Sequence, residues 1–208
     1  MKTLCLSYKL NNELSCYNNE KNIQILPCKL NEKRINMFLH SGTHIDFPAH
    51  VLKDGKTINN YSIEDFIYDN PYVLNVETQK SYIEISDLKD IPNNVDFLIF
   101  KINKIDRTSD EYALNNTGIS NEVASFLRQN FRNLRAVGIN SISVNAYQDK
   151  ESGRVAHKTL LGEKPEILII EDMYLENIIE ETILRVIVAP LFVDGADGVP
   201  VTILAEVK

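Results

Sequence analysis

The sequence predicts an α/β or α+β domain built around a mixed sheet. Short segments rich in Val, Ile and other apolar residues recur along the whole chain and read as strands. Only a few segments carry helical spacing, and these are interspersed among the strands. The length of 208 residues suits a single domain with its own core, expected over residues 1–208.

The expected strands cover 3–8, 22–26, 35–39, 72–76, 95–102, 136–139, 166–170, 184–188 and 201–207. Ser120 is placed to cap a helix running to residue 130, with Glu122 near its positive end. Val123, Phe126, Leu127 and Phe131 then share one face. Ser62 is placed to cap a short helix through Phe66, and further helical segments are expected to begin near His157 and near Met173. The pairs Asn11-Asn12, Asn18-Asn19, Asn59-Asn60, Asn93-Asn94 and Asn115-Asn116 read as turns, because Asn tolerates left-handed backbone and bonds its own main chain.

Composition excludes several classes. Hydrophobic residues at 44% and charged residues at 25% argue against a disordered chain. A net charge of −7 opposes binding to a phosphate backbone, so no nucleic-acid partner is expected. No apolar run approaches the roughly 20 residues of a membrane span. The apolar run at the N-terminus is too short for a signal peptide, and a cytoplasmic location is expected. Cys5, Cys16 and Cys28 are odd in number and form no Cys-x-x-Cys pair. They read as free thiols in a reducing compartment, small buried hydrophobes rather than metal ligands.

The chemistry concentrates in His40-Ser41-Gly42-Thr43-His44-Ile45-Asp46-Phe47-Pro48-Ala49-His50. Imidazole is the commonest protein metal ligand, and Asp46 adds a hard anionic oxygen. The strand at 35–39 is expected to deliver His40 to its end. Gly42 permits a sharp turn. His44 and Asp46, two apart, face the same side of extended chain. Pro48 keeps Phe47 extended and stops any helix. The spacing His40-x-x-x-His44 is not the helical zinc-protease motif, because Ser41 stands where that motif requires Glu. A single loop histidine is ordinarily solvated or hydrogen-bonded, but three with an aspartate at this spacing point to a metal site. His157 and Glu171, at the end of the apolar run 167–170, are weak signals when each is taken alone.

The segment from His40 to His50 resembles the signature of the cyclase family of metal-dependent hydrolases, His-x-Gly-Thr-His-x-Asp-x-Pro-x-His, at every fixed position. The resemblance extends over nearly the whole chain. Leu6-Ser7 with Leu10 resembles the family's opening strand, and Tyr17 falls near its pocket aromatic. Val137-Gly138-Ile139-Asn140 with Ser143 is similar to its Val-Gly-Ile-Asp segment, with Asn140 in place of Asp. His157 with Leu160-Leu161, then Ile169-Ile170-Glu171, resembles its second ligand block. Asp197-Gly198-Val199-Pro200-Val201 resembles its closing segment, with Thr202 replacing a frequent Arg.

The resemblance implies a mixed β-barrel-like sheet with peripheral helices, of the swivelling β/β/α type. It implies two divalent metal ions, Zn²⁺ first, with Mn²⁺ or Fe²⁺ also compatible. His40, His44 and Asp46 would bind one ion, His157 the other, and Asp46 and Glu171 would bridge them. His50 would stay unligated as general acid/base, and Tyr17 would contact substrate. Bacterial kynurenine formamidases belong to this family. The implied reaction is hydrolysis of an N-formylkynurenine-like aryl formamide to aryl amine and formate, by a water that the metals activate. The alternatives are hydrolysis of a cyclic amide or lactone, as in isatin hydrolases, or a metal-bearing binding protein without turnover. The implied partners are a small-molecule substrate and further copies of the chain in a homodimer or homotetramer.

Overall fold

The computed structural model describes residues 2–208 apart from 79, 104–106, 108, 110, 111 and 179–181. In chain order the strands and helices are β1 (Lys2–Cys5), β2 (Gln24–Pro27), β3 (Lys33–Asn36), β4 (His44–Asp46), β5 (Ile67–Tyr68), β6 (Pro71–Val76), β7 (Tyr82–Ile83), β8 (Phe97–Ile102), β9 (Gly118–Ile119), α1 (Asn121–Asn130), β10 (Ala136–Ile139), α2 (Lys150–Leu161), β11 (Leu168–Glu171), β12 (Ile183–Pro190) and β13 (Gly198–Val207).

One large sheet has the order β5-β12-β13-β4-β11-β10-β8-β6, with β1 also paired to β13. The half containing β6, β8, β10 and β11 is parallel. The half containing β4, β13, β12, β5 and β1 is antiparallel. Because β12 also lies against β6, the sheet curls into a nearly closed, barrel-like form. The helices α1 and α2 lie in the crossovers β9–β10 and β10–β11 and pack on each other. Parallel strands need such crossovers, since no short turn can reverse the chain twice. The parallel strands read as continuous apolar runs because both faces are covered: Phe97, Leu98, Ile99 and Phe100 are all fully buried. Among the described residues no helix is long and apolar enough to cross a membrane.

The predicted helix at Ser120 forms as expected. The Ser120 hydroxyl accepts from the Val123 N–H at 3.2 Å, and Val123 and Leu127 are buried. At Ser62 the chain makes a single 3₁₀ turn, Ile63–Phe66, before entering β5. Other expectations need correction. The helix carrying His157 begins seven residues earlier, at Lys150, where Asp149 accepts from the Ser152 N–H. No helix starts near Met173. Its N–H instead bonds the Ile139 carbonyl at 3.0 Å, and Met173 bridges Ser7 across to the N-terminal segment. Tertiary pairing overrides the local signal there. The strand expected at 35–39 ends at Asn36, in a solvent-exposed hairpin with β2; residues 37–43 are irregular. Of the three free cysteines only Cys16 is buried; Cys5 and Cys28 are exposed, so neither serves as a core hydrophobe.

Asn140, at the end of β10, stitches that strand to β8 beyond the regular ladder. Its side-chain oxygen accepts from the Ile102 N–H at 2.8 Å, and its amide nitrogen donates to the Ile102 carbonyl at 3.0 Å. An aspartate would keep the acceptor but set an anion against that carbonyl. Asn140→Asp is expected to lower stability by about 1–3 kcal/mol at neutral pH in urea unfolding. The deficit should shrink at acid pH, where a protonated carboxyl regains a donor.

Candidate metal centre

The strand β4 is three residues long and lies between β11 and β13. Alternation turns Ile45 into the core and His44 and Asp46 to the opposite face. Antiparallel register sets Glu171 across from His44 on one side, and Gly198 across from Asp46 on the other. Directly opposed residues share a face, so Asp46 and Glu171 converge although 125 positions separate them.

Gly198 leaves the space that His40 fills. A Cβ there would sit 2.3 Å from Cε1 of the His40 ring. His40 reaches this place from the irregular segment before β4, in which Gly42 adopts φ +66°, a conformation that glycine adopts without steric cost. The helix α2 supplies the fourth direction, presenting His157 from its buried face.

The donors meet closely. His40 Nδ1 is 2.8 Å from Asp46 Oδ1. His44 Nε2 is 3.5 Å from Asp46 Oδ1 and 3.3 Å from Glu171 Oε2. His157 Nε2 is 3.4 Å from Glu171 Oε1 and 3.8 Å from Asp46 Oδ2. Carbonyls fix the ring orientations: Gly42 O lies 2.8 Å from His44 Nδ1, and Gly153 O lies 3.0 Å from His157 Nδ1. A carbonyl only accepts, so both Nδ1 atoms carry protons and both Nε2 atoms face the carboxylates. Glu171 is held in turn by the Ser143 hydroxyl at 2.9 Å and the Val144 N–H at 2.7 Å.

Burial opposes charge on every one of these groups. Mutual contact overcomes it. Burial disfavours the charged ring of His44, yet Glu171 and Asp46 raise it to about 9. The same balance raises His40, through Asp46, and His157, through Glu171. Their rings hold the carboxyl of Glu171 well below the usual range and lower that of Asp46, against the opposing effect of burial. Protons on imidazoles thus stand where a cation would provide the positive charge. Imidazole nitrogens come within 2.8 Å of Asp46, yet both of its oxygens and His40 Nε2 are buried without a well-aligned hydrogen bond. Buried polar atoms are normally satisfied, and nitrogen and carboxylate donors without thiolate suit a divalent metal. The residues therefore fit metal ions. Two groupings bring ligand atoms within 4.8 Å of one another: His40 with Asp46 and His50, and His44 with Asp46 and Glu171. Asp46 belongs to both. His50 thus lies within ligand reach of the centre that the sequence assigned to His40, His44 and Asp46.

His50 closes a 3₁₀ turn begun by Pro48. Its ring is 4.4 Å from that of His40, centre to centre, and its Nδ1 lies 3.1 Å from Asp197 Oδ2. The resemblance covers Asp197 in its closing segment but implies no role for it, and its place beside His50 and His40 comes from contacts far away in sequence. Burial raises the carboxyl of Asp197, but contacts from His50 and His40 lower it further.

The centre opens into a cavity of about 650 Å³. Tyr17 lines it from a single 3₁₀ turn and meets Tyr147 edge to face at 6.0 Å. Behind it lie residues that carry no sequence signal. Asn116, in one of the expected Asn turns, bonds the carbonyls of Ser143 and Asn145 and so holds the loop that grips Glu171. Asp172 has φ +53° and is anchored by Arg107 and by the Tyr112 hydroxyl, each at 2.7 Å.

The family described as "Putative cyclase" matches residues 4–146. The kynurenine formamidase of Bacillus mycoides (strain KBAB4) is 28% identical over 181 residues, covering 83% of this chain and 78% of its own. A solved structure described as a potential metal-dependent hydrolase with cyclase activity superposes with a TM-score of 0.78 at 25% identity, over 98% of this chain and 96% of that one. Isatin hydrolase A from Labrenzia aggregata shares the fold, with a TM-score of 0.76 at 17% identity over 98% and 93% of the two chains.

Gly198→Ala should push His40 off Asp46 and weaken Mn²⁺ binding about 10–100-fold, read by equilibrium dialysis, with the circular dichroism spectrum unchanged. Cation binding must also displace the protons that the carboxylates hold on the imidazoles. Mn²⁺ affinity should therefore rise with pH from about 6 to about 9, with proton release on binding seen as a buffer-dependent enthalpy in calorimetry. Affinity independent of pH would contradict this.

Proposed function

Because the chain belongs to the cyclase family, we propose that it is a metal-dependent hydrolase that cleaves the C–N bond of an aryl formamide such as N-formylkynurenine. The observation that carries the reading is the convergence of His40, His44, Asp46, His157 and Glu171 at the base of one cavity, with the Asp46 oxygens in no well-aligned hydrogen bond. The formamidase of Bacillus mycoides supports the choice of substrate.

Divalent ions bound by these five residues would acidify water and polarise the formyl oxygen. The protein's own groups do the rest. Asp197 takes the Nδ1–H of His50, so the neutral ring presents Nε2 as its base. His50 accepts a proton from the attacking water as oxygen adds to the formyl carbon. The C–N bond then breaks, His50 returns the proton to the departing amine nitrogen, and formate and aryl amine leave. Ser143 and the Val144 N–H keep Glu171 from rotating. Tyr17 lines the cavity and offers an aromatic face to the substrate ring, with Tyr147 packed edge-on against it.

The test follows N-formylkynurenine by ultraviolet absorbance after loading with Zn²⁺ or Mn²⁺, with and without chelator. Turnover that chelator abolishes is expected. His50→Ala should keep its metal by elemental analysis and lose about 10²–10⁴-fold in rate. Asp46→Asn should lose both metal and turnover. Equal metal loss in the two variants would make His50 a ligand. A metal-loaded protein inert to formamides but active on isatin or a lactone would overturn the substrate.

A further inference from the structure

We propose that Arg154 on α2 is the residue that selects for a carboxylate on the substrate. The inference rests on the hydrolase reading and adds the place where the substrate's negative charge is read.

Lys150, Arg154 and Lys158 all line the cavity. They are four residues apart, so each lies about one helical turn, or roughly 6 Å, beyond the last along one face of α2. His157 shares that face, three residues from Arg154, and its imidazole belongs to the metal centre. The helix that supplies a ligand therefore also lays a cationic stripe up the cavity wall, in a chain whose net charge is −7. The carboxylates of Asp46, Glu171 and Asp172 are buried and that of Asp197 is taken up by His50, whereas the three cations are exposed on α2. A ligand in the cavity thus finds exposed positive charge beside the reacting centre.

The stripe is adjacent to the aromatic wall. Lys150 Nζ lies 4.3 Å from the centre of the Tyr147 ring and 5.6 Å from that of Tyr17. Burial raises the Tyr17 hydroxyl, with the charge of Glu171 adding to it, and the charge of Arg154 works the other way. Arg154 is thus close enough to act on the residue proposed to touch the substrate ring. Among the described residues neither Arg154 nor Lys158 forms an ion pair within the protein. Arg154 is one turn from the ligand His157, while Lys150 is two turns away and already lies over two rings. A guanidinium also matches a carboxylate with two parallel N–H donors, which an ammonium cannot. An aryl ring against Tyr17, a formamide over the metal centre and a carboxylate at Arg154 form one continuous ligand.

The test compares two formamides on metal-loaded enzyme: 2-formamidobenzoate, with a carboxylate beside the reacting group, and neutral formanilide. Wild type should favour the anion in kcat/KM, and Arg154→Glu should cut that preference about 10–100-fold through KM. Arg154→Lys should restore part of it, and added salt should erode it. No preference in wild type, or an unchanged preference in Arg154→Glu, overturns the inference while leaving the hydrolase reading in place. If neither formamide is cleaved, the hydrolase reading fails for this class. Calorimetry with uncleaved 2-acetamidobenzoate against acetanilide then decides alone: tighter binding of the anion, lost in Arg154→Glu, supports the carboxylate site, and equal binding of the two overturns it.

Discussion

Two carboxylates buried face to face govern this structure. Asp46 and Glu171 are almost wholly shielded from water, and ions withdrawn this far from solvent cost several kcal/mol each unless they are compensated. Their compensation explains the surroundings. Three imidazoles lie within 4 Å of them, two backbone carbonyls turn those rings, and a serine and a backbone N–H hold Glu171. Even Gly198 belongs to this requirement, since only a missing side chain admits His40 beside Asp46. The same pair, with donors of this kind around it, is what suits the place to a divalent metal ion.

The fold divides labour between rigid and adaptable parts. Paired strands fix His44, Asp46 and Glu171 through register, which cannot shift without turning Ile45 out of the core. The residues proposed to meet substrate come from elsewhere: His50 and Tyr17 from 3₁₀ turns, the cationic stripe from α2. Between these layers runs a network centred on Asp172, which borders the cavity. Arg107 joins the Ser15 carbonyl near Tyr17 to the carboxylate of Asp172, next in sequence to Glu171. The Thr43 hydroxyl donates to the Asp172 carbonyl at 2.6 Å and accepts from the Tyr8 N–H at 3.0 Å. The unusual backbone of Asp172 is thus held from several sides, and the wall of the cavity is tied to its base.

Much of this was legible in the chain. The parallel strands declare themselves as apolar runs, and α1 by its cap and periodic face. The segment from His40 to His50 carries enough ligands in a short stretch to announce metal chemistry, and its pattern extends to Tyr17, His157 and Glu171. Less legible were short strands such as β4, whose residues look like ligands rather than sheet. The helical signal near Met173 misled, because pairing with Ser7 and Ile139 outweighs local preference. Asn116, Arg107 and Asp197 act through partners far away in sequence, and nothing next to them discloses those partners.

The sequence by itself determined which atoms are available: imidazole and carboxylate donors in a fixed order, a glycine and a proline that shape the loop, and strands whose apolar character demands burial. Local chemistry is enough for that, since propensity and ligand type belong to single residues and their near neighbours. Only the tertiary structure decided which donors meet. Register across β11, β4 and β13 set Glu171 opposite His44 and Gly198 opposite Asp46. The crossover through α2 carried His157 to the same point and, on the same face, aligned three cations along the cavity wall. Those outcomes depend on contacts between residues more than a hundred positions apart, and packing of the whole sheet selects them.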